Sequence, residues 1–223
     1  MKESNQQDQR KKKVTDVTTF PVPYALGELR ENLSITTNTL SKLSKEELIN
    51  QAIQFHLKGN ISEATKGYQQ LINQGLKDHT VFSNYGAILI SLGKLKDAEL
   101  YLRKSIDLNP DFALAHSNLG NTLKDLGNLK EAENSYRKAI EINPNLAEPY
   151  SNLGNILKDL NNVKDAEYSY RKAIQLNPDY TEAHSNLGTI LLDLGKFQDA
   201  KASFLKAIEL NSDYAEAYST CHC

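Results

Sequence analysis

The residues Ser-Asn-Leu-Gly stand at 117–120, 151–154 and 185–188, and a variant, Ser83-Asn84-Tyr85-Gly86, precedes them at the same interval. The interval is 34 residues each time, with no insertion or deletion. A strict period of this length means that one helical hairpin is stacked repeatedly on copies of itself. The fold is then an all-α solenoid, and function lies on its surface.

From Lys45 the period divides the chain into five units, 45–78, 79–112, 113–146, 147–180 and 181–214. In the third, His116, Leu119, Gly120, Leu123 and Leu126 recur at three- and four-residue steps and predict one buried helical stripe. Gly127 predicts the end of that helix, because glycine accepts the left-handed backbone of a helix C-terminus. Leu129, Ala132, Tyr136, Ala139, Ile140 and Ile142 form the apolar stripe of a second helix, and Asn143-Pro144 stops it. Gly86, Gly120, Gly154 and Gly188 lie inside helices, where glycine costs roughly 1 kcal/mol relative to alanine. Their recurrence implies a close approach by the second helix. The bulky residues Tyr68, Leu102, Tyr136, Tyr170 and Phe204 are the expected counterparts, beside Ala64, Ala98, Ala132, Ala166 and Ala200.

Outside the array the pattern fails. Residues 1–44 hold the basic run Arg10-Lys11-Lys12-Lys13, then Phe20-Pro21-Val22-Pro23-Tyr24 and a Thr/Asn-rich stretch. They read as a mobile leader with a short helix near Ala25–Asn32, and the basic run as a solvated tail. Residues 215–223 open a sixth unit that breaks off at Thr220-Cys221-His222-Cys223, the pattern of a fragment or a disrupted gene end. Leu187, Ile190, Leu191 and Leu194 are therefore expected to stay partly uncovered, which suggests self-association through the C-terminal end.

Composition removes several classes of function. The formal net charge is −2, giving no global bias toward nucleic acid or a membrane surface. No run approaches the ~18 apolar residues of a membrane span, and Met1–Lys13 lacks the apolar stretch of a signal peptide. The two cysteines both fall in the last three residues, so the expected setting is reduced and cytoplasmic. Cys221-His222-Cys223 cannot wrap one tetrahedral zinc from consecutive positions. His116 and His184 share the place of Phe82 and Tyr150 and read as packing residues. No nucleophile–base pair, phosphate loop, metal set or cofactor motif is found, and no catalytic residue is assigned.

The Leu-Gly pair, the inter-helix Gly, the Ala, the Tyr/Phe and the final Pro together resemble the tetratricopeptide repeat family. The resemblance covers 45–214, about three quarters of the chain. It implies a right-handed superhelix whose first helices line a concave groove, and protein or peptide binding rather than catalysis. The first unit departs from the pattern, with Gln51-Ala52 for Leu-Gly and Gln74-Gly75-Leu76 for the Asn-Pro stop, as suits a terminal unit. Ser212 stands where three earlier units have proline.

Packing explains Leu, Gly and Ala but leaves Ser and Asn, mediocre helix formers, without a reason. Ser117, Asn118, Asn121, Lys124 and Asp125 share one face of the third unit's first helix, and Ser151, Asn152, Asn155, Lys158 and Asp159 repeat it. With Ser83, Asn84, Ser185 and Asn186 they form a candidate peptide-binding ladder on the face that the resemblance assigns to the groove. Rungs ~8–10 Å apart meet an extended peptide about every three residues. An asparagine offers both donor and acceptor to a peptide amide. The competing reading is structural: the asparagines bridge neighbouring helices. The SNLGN wording is also similar to the repeats of protein O-linked N-acetylglucosamine transferases. The cationic clamp of chaperone-binding members is missing, since Thr80, Leu114, Glu148 and Glu182 hold its places. Two functions are compatible with this pattern: a noncatalytic scaffold that captures extended protein segments, or the substrate-recruiting part of a larger glycosyltransferase, methyltransferase or sulfotransferase.

Overall fold

The computed structural model describes residues 44–212. They fold into ten α-helices, arranged as five hairpins. These are α1 (Lys45–Leu57) with α2 (Ile61–Asn73), α3 (His79–Ser91) with α4 (Leu95–Leu108), and α5 (Ala113–Asp125) with α6 (Leu129–Ile142). α7 (Ala147–Asp159) with α8 (Val163–Leu176) and α9 (Thr181–Asp193) with α10 (Phe197–Leu210) complete the stack. From α3 to α7 each first helix packs both on its own second helix and on the first helix of the next unit. The first helices α3 to α9 thus make a continuous layer, and the all-α solenoid that the period predicts is present. The leader, the helix expected at 25–32, the sixth unit and Cys221-His222-Cys223 lie outside the described residues.

Local chemistry sets where each helix begins and ends. Ser44, assigned to the leader from the sequence, caps α1: its Oγ accepts from Glu47 N–H at 3.2 Å, and Ser44 N–H donates to Glu47 Oε2 at 2.7 Å. Gly127 reverses the chain after α5 with φ +81°, and Asn161 takes the equivalent place after α7 with φ +61°. Asn109, Asn143 and Asn177 end three of the second helices, and each Oδ1 accepts the N–H two residues on. The proline between has no N–H to donate, so this side-chain turn bridges over it.

The stack is held by small-against-large contact. A Cβ added to Gly120 would lie 2.6 Å from Tyr136 Cε1; at Gly154 it would lie 2.7 Å from Tyr170 Cε1. Leu102 and Phe204 close on Gly86 and Gly188 in the same way. Tyr136, Tyr170 and Leu102 are fully buried. Several stripe residues are only half-buried, namely Leu126, Leu129, Ile140, Ile142 and His116, because they lie at the margins of the contact. His116 and His184 also do more than pack: each Nε2 lies 2.9 Å from the carbonyl oxygen of Pro110 or Pro178, a geometry that needs the proton on Nε2.

The C-terminal end corrects the sequence reading. Leu187, Ile190 and Leu191 are not uncovered; they are buried in one cluster with Ala200 and Phe204 of α10. Leu194 is half-buried. The apolar groups left in solvent are instead Phe197 and Leu205, on α10 itself. Ion pairs on the outer layer, such as Arg103 with Glu99 and Glu131 or Lys196 with Glu167, are solvent-exposed and contribute at most ~1 kcal/mol each.

Gly120→Ala should therefore destabilise the array by about 1–3 kcal/mol, although alanine is the better helix former, because the ring beneath it has no room to retreat. The midpoint of urea unfolding checks this, with Gly127→Ala as a comparison. That site is sterically open, and the change there strains only the backbone.

Candidate binding groove

One face of the first helices carries a hydrogen-bonded amide ladder. Tyr136 crosses from α6 beneath Gly120, and its hydroxyl donates to Asn121 Oδ1 at 2.7 Å. Asn152 of the next first helix donates its Nδ2 to the same oxygen at 2.9 Å. One unit later the arrangement repeats: Tyr170 Oη donates to Asn155 Oδ1 at 2.7 Å, and Asn186 Nδ2 donates to it at 2.9 Å. Each ladder oxygen thus uses both lone pairs, one toward its own second helix and one toward the next unit. Asparagine bridges neighbouring helices here, as the structural alternative requires.

The units themselves report what the amide is for. Where the second helix supplies a tyrosine hydroxyl, at 136 and 170, the first helix supplies Asn121 and Asn155. Where it supplies Leu102 or Phe204, the matching residues are Ala87 and Thr189. The first unit breaks the rule, pairing Tyr68 with Ile53. There the buried Tyr68 hydroxyl and Asn84 Nδ2 are both left without a partner. Burial pushes the Tyr68 phenol well above its ordinary range; Asn84 opposes the shift slightly, but no bond of good geometry closes between the two.

Glu148 joins the ladder from α7. Asn121 Nδ2 donates to its Oε1 at 3.1 Å, and Asn152 Nδ2 approaches the same oxygen at 3.5 Å. A carboxylate accepts only, so this contact turns both amide nitrogens toward it. The Oδ1 atoms of Asn152 and Asn186 accept no bond among the described residues. The amide nitrogens of Asn121, Asn152 and Asn186 donate within the ladder, which leaves the Asn152 and Asn186 oxygens as unused acceptors among the described residues. Burial raises the Glu148 carboxyl above its ordinary range; the Asn121 bond opposes this, Glu182 adds to it, and Lys124 and Asn152 oppose it.

Beside the ladder lies a cavity of about 500 Å³ bounded by α5, α7, α9 and the loops that precede α7 and α9. Of the residues selected from the sequence, Ser117, Asn121, Lys124 and Asn152 line it. Lys124 Nζ sits 3.7 Å from Asp125 Oδ1. Asn155 and Asn186 form the next rung, half-buried, while Lys158 and Ser185 are half-buried on the same helices. Ser83, Asn84, Asn118 and Ser151 are buried among packed helices. Leu114, Glu148 and Glu182, placed by the resemblance at the clamp positions but not selected as peptide-binding, also line the cavity, as do Leu146 and Tyr180, which the sequence did not single out. Leu146 and Tyr180 lie just before helices α7 and α9, where helical periodicity gives no signal.

Family models described as TPR repeat match residues 120–161 and 154–195, and models described as tetratricopeptide repeat match 79–112, 101–134 and 181–214. The chain belongs to the tetratricopeptide repeat family, and the array is a protein-interaction scaffold. Among solved structures it is similar to a crystal structure of MamA, at 22% identity and TM-score 0.63, covering 74% of this chain and 96% of that one. MamA from Desulfovibrio magneticus RS-1 aligns at 21% identity and TM-score 0.65 over 76% of this chain and 96% of that one. TTC0263, a thermophilic TPR protein of Thermus thermophilus, aligns at 19% identity and TM-score 0.63 over 79% and 98%. At these identities the likeness is one of fold. No curated protein matches the chain. Among the described residues, no helix is long and apolar enough to cross a membrane, and no cluster of three or more His, Cys, Asp or Glu could hold a metal ion.

Two measurements test this geometry. Asn155→Ala leaves two donors facing nothing and should cost about 1–3 kcal/mol. Tyr170→Phe should cost less in that background than in the native chain, a coupling that a double-mutant cycle in urea reads directly. For Glu148, the folded-state pKa is raised, so its ionised form lowers stability above that pKa, and the penalty is lost as pH falls below the unfolded value. Glu148→Gln should raise the melting temperature at pH 7, with an advantage that shrinks as pH falls through the carboxylate range.

Proposed function

We propose that the array is a noncatalytic scaffold, acting in the cytoplasm, that captures extended polypeptide along the groove face of α5, α7 and α9. The observation that carries this reading is the pair of half-buried amides Asn152 and Asn186, one unit apart, whose nitrogens are held by the ladder while their Oδ1 atoms accept no bond among the described residues. In the polyproline II form, with three residues per turn and ~3.1 Å per residue, an extended segment offers a same-facing N–H about every 9 Å, which matches the rung spacing. Bonds of this kind go to the main chain and leave the side-chain sequence largely unread.

Preorganisation supports the same reading. The amides are held by Tyr136, Tyr170 and Glu148, so a bound segment does not have to immobilise them. Leu114, Leu146 and Pro149 give the cavity an apolar floor beside the polar rungs. Ser117, Asn121, Lys124 and Asn152 are the contact residues of the first rung and Asn155, Lys158, Ser185 and Asn186 those of the second. The buried Ser83, Asn84, Asn118 and Ser151 support the stack from beneath.

Fluorescence anisotropy with a labelled, unstructured peptide tests the reading. Asn152→Ala and Asn186→Ala should each weaken binding about 3–10-fold per folded molecule, the worth of one hydrogen bond. Unchanged affinity alongside a lowered melting temperature would make the ladder purely structural.

A further inference from the structure

We propose that this groove selects basic polypeptide, seating a lysine or arginine side chain between Glu148 and Glu182. The inference deepens the peptide-capture reading and rests on it.

The charges lining the cavity are Lys124, Asp125, Glu148 and Glu182. Lys124 lies within ion-pair distance of Asp125 and acts on Glu148 only from beyond that distance, so the three carboxylates outnumber the one cation. That leaves two carboxylates one unit apart, near enough for Glu182 to disfavour ionisation of Glu148. Among the described residues neither has a cation within ion-pair distance; Glu148 receives bonds only from neutral amides. Asn152 and Asn186 add neutral acceptors along the same line.

The Ser117 hydroxyl is compatible with the same ligand, although the matching Ser151 hydroxyl, away from the cavity, is unpartnered as well. Ser117 lines the cavity, is 2% exposed, and its Oγ has no partner. A buried hydroxyl without a partner is rare, and an arriving N–H donor satisfies it. An ammonium or guanidinium group carries donors and no acceptors, the complement of a wall made of carboxylate, amide and hydroxyl oxygens. The apolar floor at Leu114, Leu146 and Pro149 fits the methylene stem of such a side chain. Acidic segments meet the same oxygens with like charge and are repelled.

The second and third units hold no carboxylate at the place of Glu148 and Glu182; they have Thr80 and Leu114 there. The first unit has Glu46, but it is exposed at the far end of the array and separated from Glu148 by those two neutral places. Paired carboxylates in adjacent units are therefore confined to the C-terminal half of the groove, which fixes where a basic residue of the bound segment must fall.

The test uses the full chain and labelled probes of about 12 residues, long enough to span the rungs, built as repeats of Gly-Ser-Lys, Gly-Ser-Gln or Gly-Ser-Glu. Anisotropy at low and at physiological salt should give the lysine probe ~10-fold tighter binding than the glutamine probe, and the glutamate probe the weakest. Glu148→Gln with Glu182→Gln should bring the lysine and glutamine probes together, while Glu141→Gln on the outer layer leaves the difference intact. Melting temperatures of all variants separate lost binding from lost fold. A lysine preference that survives the double substitution overturns the proposal. If all probes bind alike and Asn152→Ala weakens them all, capture stands and charge selection falls; if none binds, both fall. Lysine-probe binding that emerges only after Arg10–Lys13 are replaced by serine overturns an outside partner in favour of this chain's own basic run.

Discussion

The contact on which the structure depends is the close approach of a second-helix side chain to a first-helix glycine. At Gly120 it brings the Tyr136 ring where a Cβ would otherwise stand. The distance has two consequences. It fixes the angle within the hairpin, because a ring cannot lie closer and the helix cannot retreat without opening a cavity. It also carries the ring's hydroxyl through to the first helix, where Asn121 Oδ1 accepts it. The outer layer thus reaches the inner face through one side chain, and Asn152 extends that connection into the next unit.

Comparison among the units separates packing from polar linkage. Leu102 and Phe204 close on their glycines as well as the tyrosines do, so the steric contact does not need a hydroxyl. The hydroxyl appears with an asparagine acceptor in two units, and its absence goes with Ala87 and Thr189. The Tyr68–Ile53 pair shows the cost of mismatch: a buried hydroxyl and a buried amide N–H both lack their acceptor. Leaving a buried donor unsatisfied costs about 1–3 kcal/mol, so the N-terminal hairpin is the weakest link of the polar ladder.

Much of the fold was legible in the sequence because repetition exposes what packing needs. Gly120, Ala132 and Tyr136 recur at fixed places, and the structure assembles them as small against large. The end of the array was misread for a local reason: Leu187, Ile190 and Leu191 were judged by the incomplete sixth unit beyond them, whereas α10 and its Phe204 cover them. The ladder was half legible. Its residues share a helical face, but the Tyr136 partner of Asn121 lies on the other helix, and no single-helix periodicity points to it. The signal exists only in pairs, in the joint presence of Asn with Tyr and their joint replacement. Glu148 was placed on the groove face by the resemblance, at a clamp position, but its bond to Asn121 was not legible, since a glutamate in a helix's first turn ordinarily reads as a solvated, dipole-compatible charge.

That glutamate is where stability and binding pull in opposite directions. A neutral glutamine would keep the Asn121 bond to its side-chain oxygen and escape the desolvation that raises the Glu148 carboxyl. The carboxylate therefore stands at a place where the free array gains nothing from its charge. Departures of this kind concentrate at functional sites, where the missing stabilisation is supplied on binding. An incoming cation would have that effect here: it would offset the repulsion from Glu182 that disfavours the Glu148 carboxylate, and leave in place the amides that already face it. The same rigidity that makes the stack a stable solenoid would then serve selection, because the ladder fixes two carboxylates that have no cation within ion-pair distance among the described residues.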